Sequence, residues 1–185
     1  TLTGSQRHGS RHGGHVRFKE TDMAIIDFFD RGWRSNPTGA AYIQDDRHFS
    51  FNEVGELSCR IANALLAAGL PKETKGAVWA ANDVTAWTCT LGLWRANMCW
   101  IPVGARNAAE ENHYLLDAFD CEVLFFQKYF AAVIAELKPR LPKVKLWVCI
   151  DGEPSEIPDA VTLENWLAGQ PTSKPNVAVE LDDVV

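Results

Sequence analysis

Between residues 77 and 150, short apolar runs alternate with longer amphipathic segments, each of more than ten residues. Residues 77–81, 98–103, 122–126 and 146–150 read as strands. The second is almost continuously apolar, as befits a strand covered on both faces. Val84, Trp87, Leu91 and Trp94 mark the inner face of one intervening helix. Tyr114, Leu115 and Phe119 mark that of a second, and residues 129–137 supply a third. Strands separated in this way are joined by crossovers, which predicts an α/β fold with a mostly parallel sheet flanked by helices.

Punctuation supports the pattern. Asn82 and the pair Asn107 and Glu110 stand where helix starts need side-chain acceptors. Upstream, Met23, Ile26, Phe29 and Trp33 share a helical face, and residues 40–44 and 48–51 form a hairpin about Asp45-Asp46-Arg47. Ser50 and Glu53 fit a capping box before a helix carrying Val54, Leu57, Ile61 and Leu65 inward. Gly69 and Pro71 end that helix. A weaker helix spans residues 163–168, and residues 151–160 and 170–178 are Pro-rich loops.

Charge is unevenly spread. The formal net charge is -6, yet residues 1–19 hold Arg7, Arg11, Arg17 and Lys19 and no acid. The acidic remainder repels phosphate backbones, so nucleic acid binding would have to come from the tail alone. Residues 1–20 read as a disordered or expression-derived tail, in which His8, His12 and His15 bind metal only adventitiously. The five cysteines, Cys59, Cys89, Cys99, Cys121 and Cys149, form no C-x-x-C pair. Buried free thiols in a reducing cytoplasm are the expectation. No secretory signal opens the chain, and the apolar run 84–103 is broken by Arg95, Asn97 and Pro102, so no transmembrane segment is expected.

The search for catalytic signatures returns absences. There is no G-x-G-x-x-G, no G-x-x-x-x-G-K-[ST], no G-x-S-x-G and no H-E-x-x-H. The strand–helix pattern is that of a nucleotide enzyme without a phosphate loop.

Four segments resolve this contradiction. FSFNEVGELSCRIANALLAAGL (49–70), KETKGAVWAANDVTAW (72–87), LGLWRANMCWIPVGARNAAEE (91–111) and LLDAFDCEVLFF (115–126) together resemble the amino-terminal part of AMP-forming acyl-CoA synthetases and other adenylate-forming enzymes. Their order and spacing match. Asn97 stands where that family usually has Gly, and Gly104-Ala105 replaces a polar residue and Pro before Arg106.

The resemblance implies that residues 21–185 are the amino-terminal portion of an AMP-binding, adenylating domain, cut before the phosphate loop. It implies a two-step ligase: a carboxylic acid and ATP give an acyl-adenylate, which coenzyme A converts to a thioester. ATP, Mg²⁺ and CoA would serve the intact enzyme. The family's Ser/Thr/Gly-rich phosphate loop usually follows a segment resembling residues 180–185, so this polypeptide alone is expected to be inactive and to bind no cofactor. An adenylation domain loading a carrier protein, a non-catalytic Rossmann-like binding module and a basic-tail nucleic acid binder are the alternatives.

No catalytic, cofactor-binding or metal residue is assigned. Asn82 and Asn107, with Arg106 beside the second, lie after strand ends where ligands gather in open α/β sheets, although capping explains both asparagines more simply. Trp79, Trp87, Trp94 and Trp100 could line an acyl tunnel, but packing accounts for them more simply. An incomplete sheet also predicts an exposed edge, and with it a homodimer or aggregation.

Overall fold

A computed structural model describes residues 23–178, 183 and 184. The expected tail at residues 1–20 lies outside the described residues. The chain opens with α1 (Ile25–Ser35) and the hairpin β1 (Ala40–Gln44) and β2 (Arg47–Ser50). Asp45 and Asp46 take φ of 48° and 63°, the left-handed pair that a two-residue hairpin turn needs. Helix α2 (Phe51–Ala67) is held at its start by Ser50 and Glu53. The Glu53 amide donates to Ser50 Oγ at 3.2 Å, and the Ser50 amide donates to Glu53 Oε2 at 2.7 Å. Gly69 follows it at φ 73°.

The sheet consists of β3 (Lys75–Trp79), β4 (Cys99–Ile101), β5 (Val123–Phe126), β6 (Leu146–Cys149) and β7 (Val161–Thr162). Their order is β4-β3-β5-β6-β7 and every pairing is parallel. Between them run α3 (Val84–Arg95), α4 (Ala109–Ala118), α5 (Ala131–Leu137) and, after β7, α6 (Leu163–Trp166). Strand alternation sorts the core. Val78, Val123, Phe125 and Val148 meet α2, α3 and α6 on one face. Ala77, Trp79, Leu124 and Phe126 meet α4 and α5 on the other. Phe125 and Phe126 are both fully buried, and burial of such a ring contributes roughly 1.5–3 kcal/mol.

Several expectations are corrected. The cap of α3 is Asp83, not Asn82: Asp83 Oδ1 accepts from the Ala86 amide at 2.9 Å. Helix α4 starts after Ala108 with no side-chain cap, because Asn107 instead donates to Asn112 Oδ1 at 3.0 Å. Tyr114 and Phe119 point outward, 67% and 56% exposed, and the helix buries Asn112 and Leu116. Asn112 can be buried because its amide also donates to the Gly104 carbonyl at 2.8 Å, tethering the β4–α4 loop. A polar side chain at an inward position breaks the apolar period from which the face was read. Strand β4 is shorter than residues 98–103, and β7 carried no apolar run long enough to signal it.

Candidate functional site

Helix α3 leaves β3 toward one face of the sheet and α4 leaves neighbouring β4 toward the other, as the two core clusters show. The loops therefore diverge, and a crevice opens at the carboxyl ends of β3 and β4. Open α/β sheets bind ligands at such a switch point. Two cavities occupy it, of about 530 and 880 Å³, and share Ala80, Ala81, Asn82 and Val103 as a common wall.

The smaller chamber is apolar. Val78, Trp87, Thr90 and Trp100 line it, with Tyr42 and Gln44 contributed by the hairpin. Trp87, Trp94 and Trp100 pack edge to face, with centroids 5.6–6.1 Å apart and planes within 5° of perpendicular. Trp87 Nε1 donates to Tyr42 Oη at 2.8 Å. Burial pushes the Tyr42 phenol above its usual pKa, partly offset by that bond. Gln44 bridges hairpin and helix: its Oε1 accepts from the Val84 amide at 2.8 Å and its Nε2 donates to Asp83 Oδ2 at 3.3 Å.

The larger chamber carries more polar groups. Gly104, Arg106, Asn107, Gln127 and Tyr129 rim it, above Phe130. Gln127 Oε1 accepts from the Ala81 amide at 2.8 Å and so fixes the loop after β3 to the end of β5. A Cβ at Gly104 would lie 2.6 Å from Asn107 Oδ1, so a larger residue there would displace the Asn107 amide. Tyr129 is 87% exposed and stacks edge-on against Phe130 at 5.1 Å.

Both helix starts disfavour an anion. The first amides of α3 are taken by Asp83 and Gln44, and α4 carries Glu110 and Glu111 in its first turn. Arg106 is the cation of the rim. The residues around the crevice thus fit one anionic contact but form no cradle for a triphosphate and its metal. Among the described residues, no group of three His, Cys, Asp or Glu is placed to hold a metal ion.

Residues 29–185 match the profile of the AMP-binding enzyme family. The chain belongs to that family. The medium-chain acyl-CoA ligase Mig of Mycobacterium avium is 29% identical over 163 residues, 80% of this chain and 30% of the ligase. The nonribosomal peptide synthetase agiA of Aspergillus flavus is 29% identical over 84 residues, 45% of this chain and 1% of that protein. Among solved structures, the anthranilate CoA ligase AuaEII in complex with anthranoyl-AMP superposes with a TM-score of 0.81 at 19% identity. That superposition covers 89% of this chain and 32% of AuaEII, and it shows the fold. The chain spans about a third of the length of the ligases it matches.

In this AMP-binding family member the structure brings Asn82, Arg106 and Asn107 to one crevice, as their positions after strand ends implied. The tryptophans divide: Trp87 and Trp100 reach the apolar chamber, while Trp79 and Trp94 are packed away. No tunnel lined by all four exists, because Trp79 lies on the opposite sheet face against Phe130. Sequence reasoning missed Tyr42, Asp83, Gln127 and Tyr129. Gln127 was detectable, since it directly follows β5 at its carboxyl end. Tyr42 was not, because nothing local places the hairpin beside α3. No helix of the described residues is long and apolar enough to cross a membrane.

Proposed function

We propose that this chain is part of an AMP-forming acid–thiol ligase, an acyl-CoA synthetase acting in the cytoplasm with ATP, Mg²⁺ and CoA. In the first step a carboxylate oxygen attacks the α-phosphate of ATP and expels pyrophosphate. In the second the CoA thiolate attacks the acyl carbon and AMP leaves. The observation that carries this reading is the family match over residues 29–185, joined to a ligase relative aligned along 80% of the chain. The crevice supports it by offering an apolar chamber beside an arginine-bearing rim.

Phosphoryl chemistry rests on positioning and on charge stabilisation by amides, lysine and metal. The crevice supplies only Arg106 toward that end, so the polypeptide by itself is inactive. Acid-dependent ATP–pyrophosphate exchange tests both statements. The 185-residue chain shows none, whereas the same sequence within a polypeptide of the relatives' length does. In that longer protein Arg106→Ala raises the KM of one phosphorylated substrate about tenfold, with kcat nearly unchanged. Exchange by the short chain, or its absence in the longer protein, overturns the reading. Similarity to a peptide synthetase keeps a second acceptor in view. Thioester formed on a carrier protein's phosphopantetheine but not on CoA selects it. Self-association through an exposed sheet edge is part of the same proposal; light scattering that shows a monomer at high concentration rejects it.

A further inference from the structure

The polar groups at the hairpin side of the apolar chamber are tied to one another, while the Trp100 indole N–H is buried without a partner among the described residues. Gln44 Oε1 accepts from the Val84 amide and its Nε2 donates to Asp83 Oδ2, while Asp83 Oδ1 accepts from the Ala86 amide. Tyr42 Oη accepts from Trp87 Nε1, but among the described residues its own hydrogen is donated to none. A half-buried hydroxyl that has an acceptor role filled and a donor role open is a ready partner for a ligand acceptor. The Asp83 carboxylate stands at the chamber wall and already compensates the positive end of α3. A second negative charge placed there meets repulsion from that carboxylate. Apart from Asn82 and Thr90 the remaining surface is indole and aliphatic, and the Trp87 and Trp100 rings, perpendicular at 6.0 Å and backed by Trp94, offer a ligand ring an aromatic contact. The volume of about 530 Å³ falls within the range of small-molecule sites.

We infer that this chamber is a binding site for an uncharged, mostly apolar group, a flat ring by preference, that carries one carbonyl-type acceptor received by the Tyr42 hydroxyl. The inference rests on the crevice being the ligand-binding end of the sheet and not on the ligation chemistry. The site selects against a carboxylate in the chamber itself, so a free acid would enter only with its charged end outside.

Benzamide and benzoate have nearly the same shape and differ in charge, which makes them the discriminating probes. The 185-residue chain is titrated with each, and the indole N–H resonances of Trp87 and Trp100 are followed by heteronuclear NMR. Benzamide shifts both resonances saturably, and benzoate binds at least about ten times more weakly, the effect of one repelled charge at short range. Asp83→Asn, which keeps an oxygen to cap α3, narrows that preference severalfold. Tyr42→Phe weakens benzamide about fivefold, the usual effect of one neutral hydrogen bond. If Tyr42→Phe does not fold, Ala80→Leu carries the test, since bulk on this loop residue fills the chamber and abolishes the shifts. Equal binding of the two probes, shifts that do not saturate, or wild-type affinity in a folded Tyr42→Phe variant overturns the inference. Because no ATP or CoA is present, failure here leaves the ligase reading untouched, and failure of pyrophosphate exchange leaves this result standing.

Discussion

Replacement of Asp30 by Asn removes the charge at the centre of a buried cluster that ties three helices together. Asp30 lies on α1 and receives Arg95 Nη1 at 3.2 Å and Nη2 at 2.8 Å from the end of α3. Arg95 Nε donates to Ser58 Oγ of α2 at 3.1 Å, and Lys174 Nζ reaches Asp30 Oδ2 at 2.6 Å. The side chains of Arg95 and Asp30 are only 4% and 6% exposed, whereas that of Lys174 is 44% exposed. Without the carboxylate the guanidinium is left buried and unpaired, which costs about 3–5 kcal/mol. Asparagine retains one acceptor, so a loss near ~3 kcal/mol is expected, or a fall in Tm of about 6–12 °C for a chain of this size. Lys174 is a surplus cation in contact with water, so Lys174→Met costs less than about 1 kcal/mol. Asp30→Leu combined with Arg95→Met removes both buried charges and restores most of the stability lost by Asp30→Asn alone. Thermal and urea unfolding measure all three. Equal losses for Asp30→Asn and Lys174→Met, or no recovery in the double variant, would refute the reasoning. The cluster also sets an acid response. Burial pushes the Asp30 carboxyl up, but hydrogen bonds from Arg95 and Lys174 outweigh it and hold the pKa below the ordinary value. The unfolded chain therefore binds this proton more readily than the folded one. The stabilisation is complete above the usual carboxylate range and is lost as the pH falls through and below it. Asp30→Asn flattens that part of the acid unfolding curve.

Asn97, at φ 57° and fully buried, donates to the Ala178 carbonyl at 3.1 Å and to Asp183 Oδ2 at 2.6 Å. Asn97→Gly keeps the backbone and loses the amide, while Asn97→Ala loses both, so Ala is the more destabilised by about 1 kcal/mol; hydrogen exchange at 171–178 rises in both, and unchanged protection there refutes the clamp. Thr74 is 2% exposed and its hydroxyl has no partner among the described residues. Thr74→Val keeps the shape and raises stability by about 1 kcal/mol, read as a Tm gain of roughly 2–4 °C. All five cysteines are buried and free, and burial raises their pKa values, Cys121 to about 12. A thiol reagent therefore labels the native chain slowly and all five sites once it is unfolded; one fast native thiol contradicts this.

Much of the fold was legible because it depends on local periodicity. The β5 run is apolar at every position and lies between covered faces, and Ser50, Glu53 and Gly69 bound α2 as residue chemistry demands. Errors came where a distant partner decided the matter. Asn82 and Asp83 are both competent caps, and the choice fell to Asp83, whose carboxylate is also held by Gln44 from the hairpin. Asn107 was diverted from capping by Asn112, a buried polar residue that no apolar period reveals.

The alternation of helices with the first four sheet strands, the expectation of parallel pairing and the resemblance to adenylate-forming enzymes were determined by the sequence alone, since period and punctuation act over a few residues; the short β7 was not. Only the tertiary structure decided that the loops after β3 and β4 diverge to opposite faces and open a crevice. It alone set Tyr42 against Trp87, and Asp30 against Arg95, across 45 and 65 residues of chain. Those contacts depend on how layers stack, and stacking is settled by the summed burial of many side chains that no short stretch encodes.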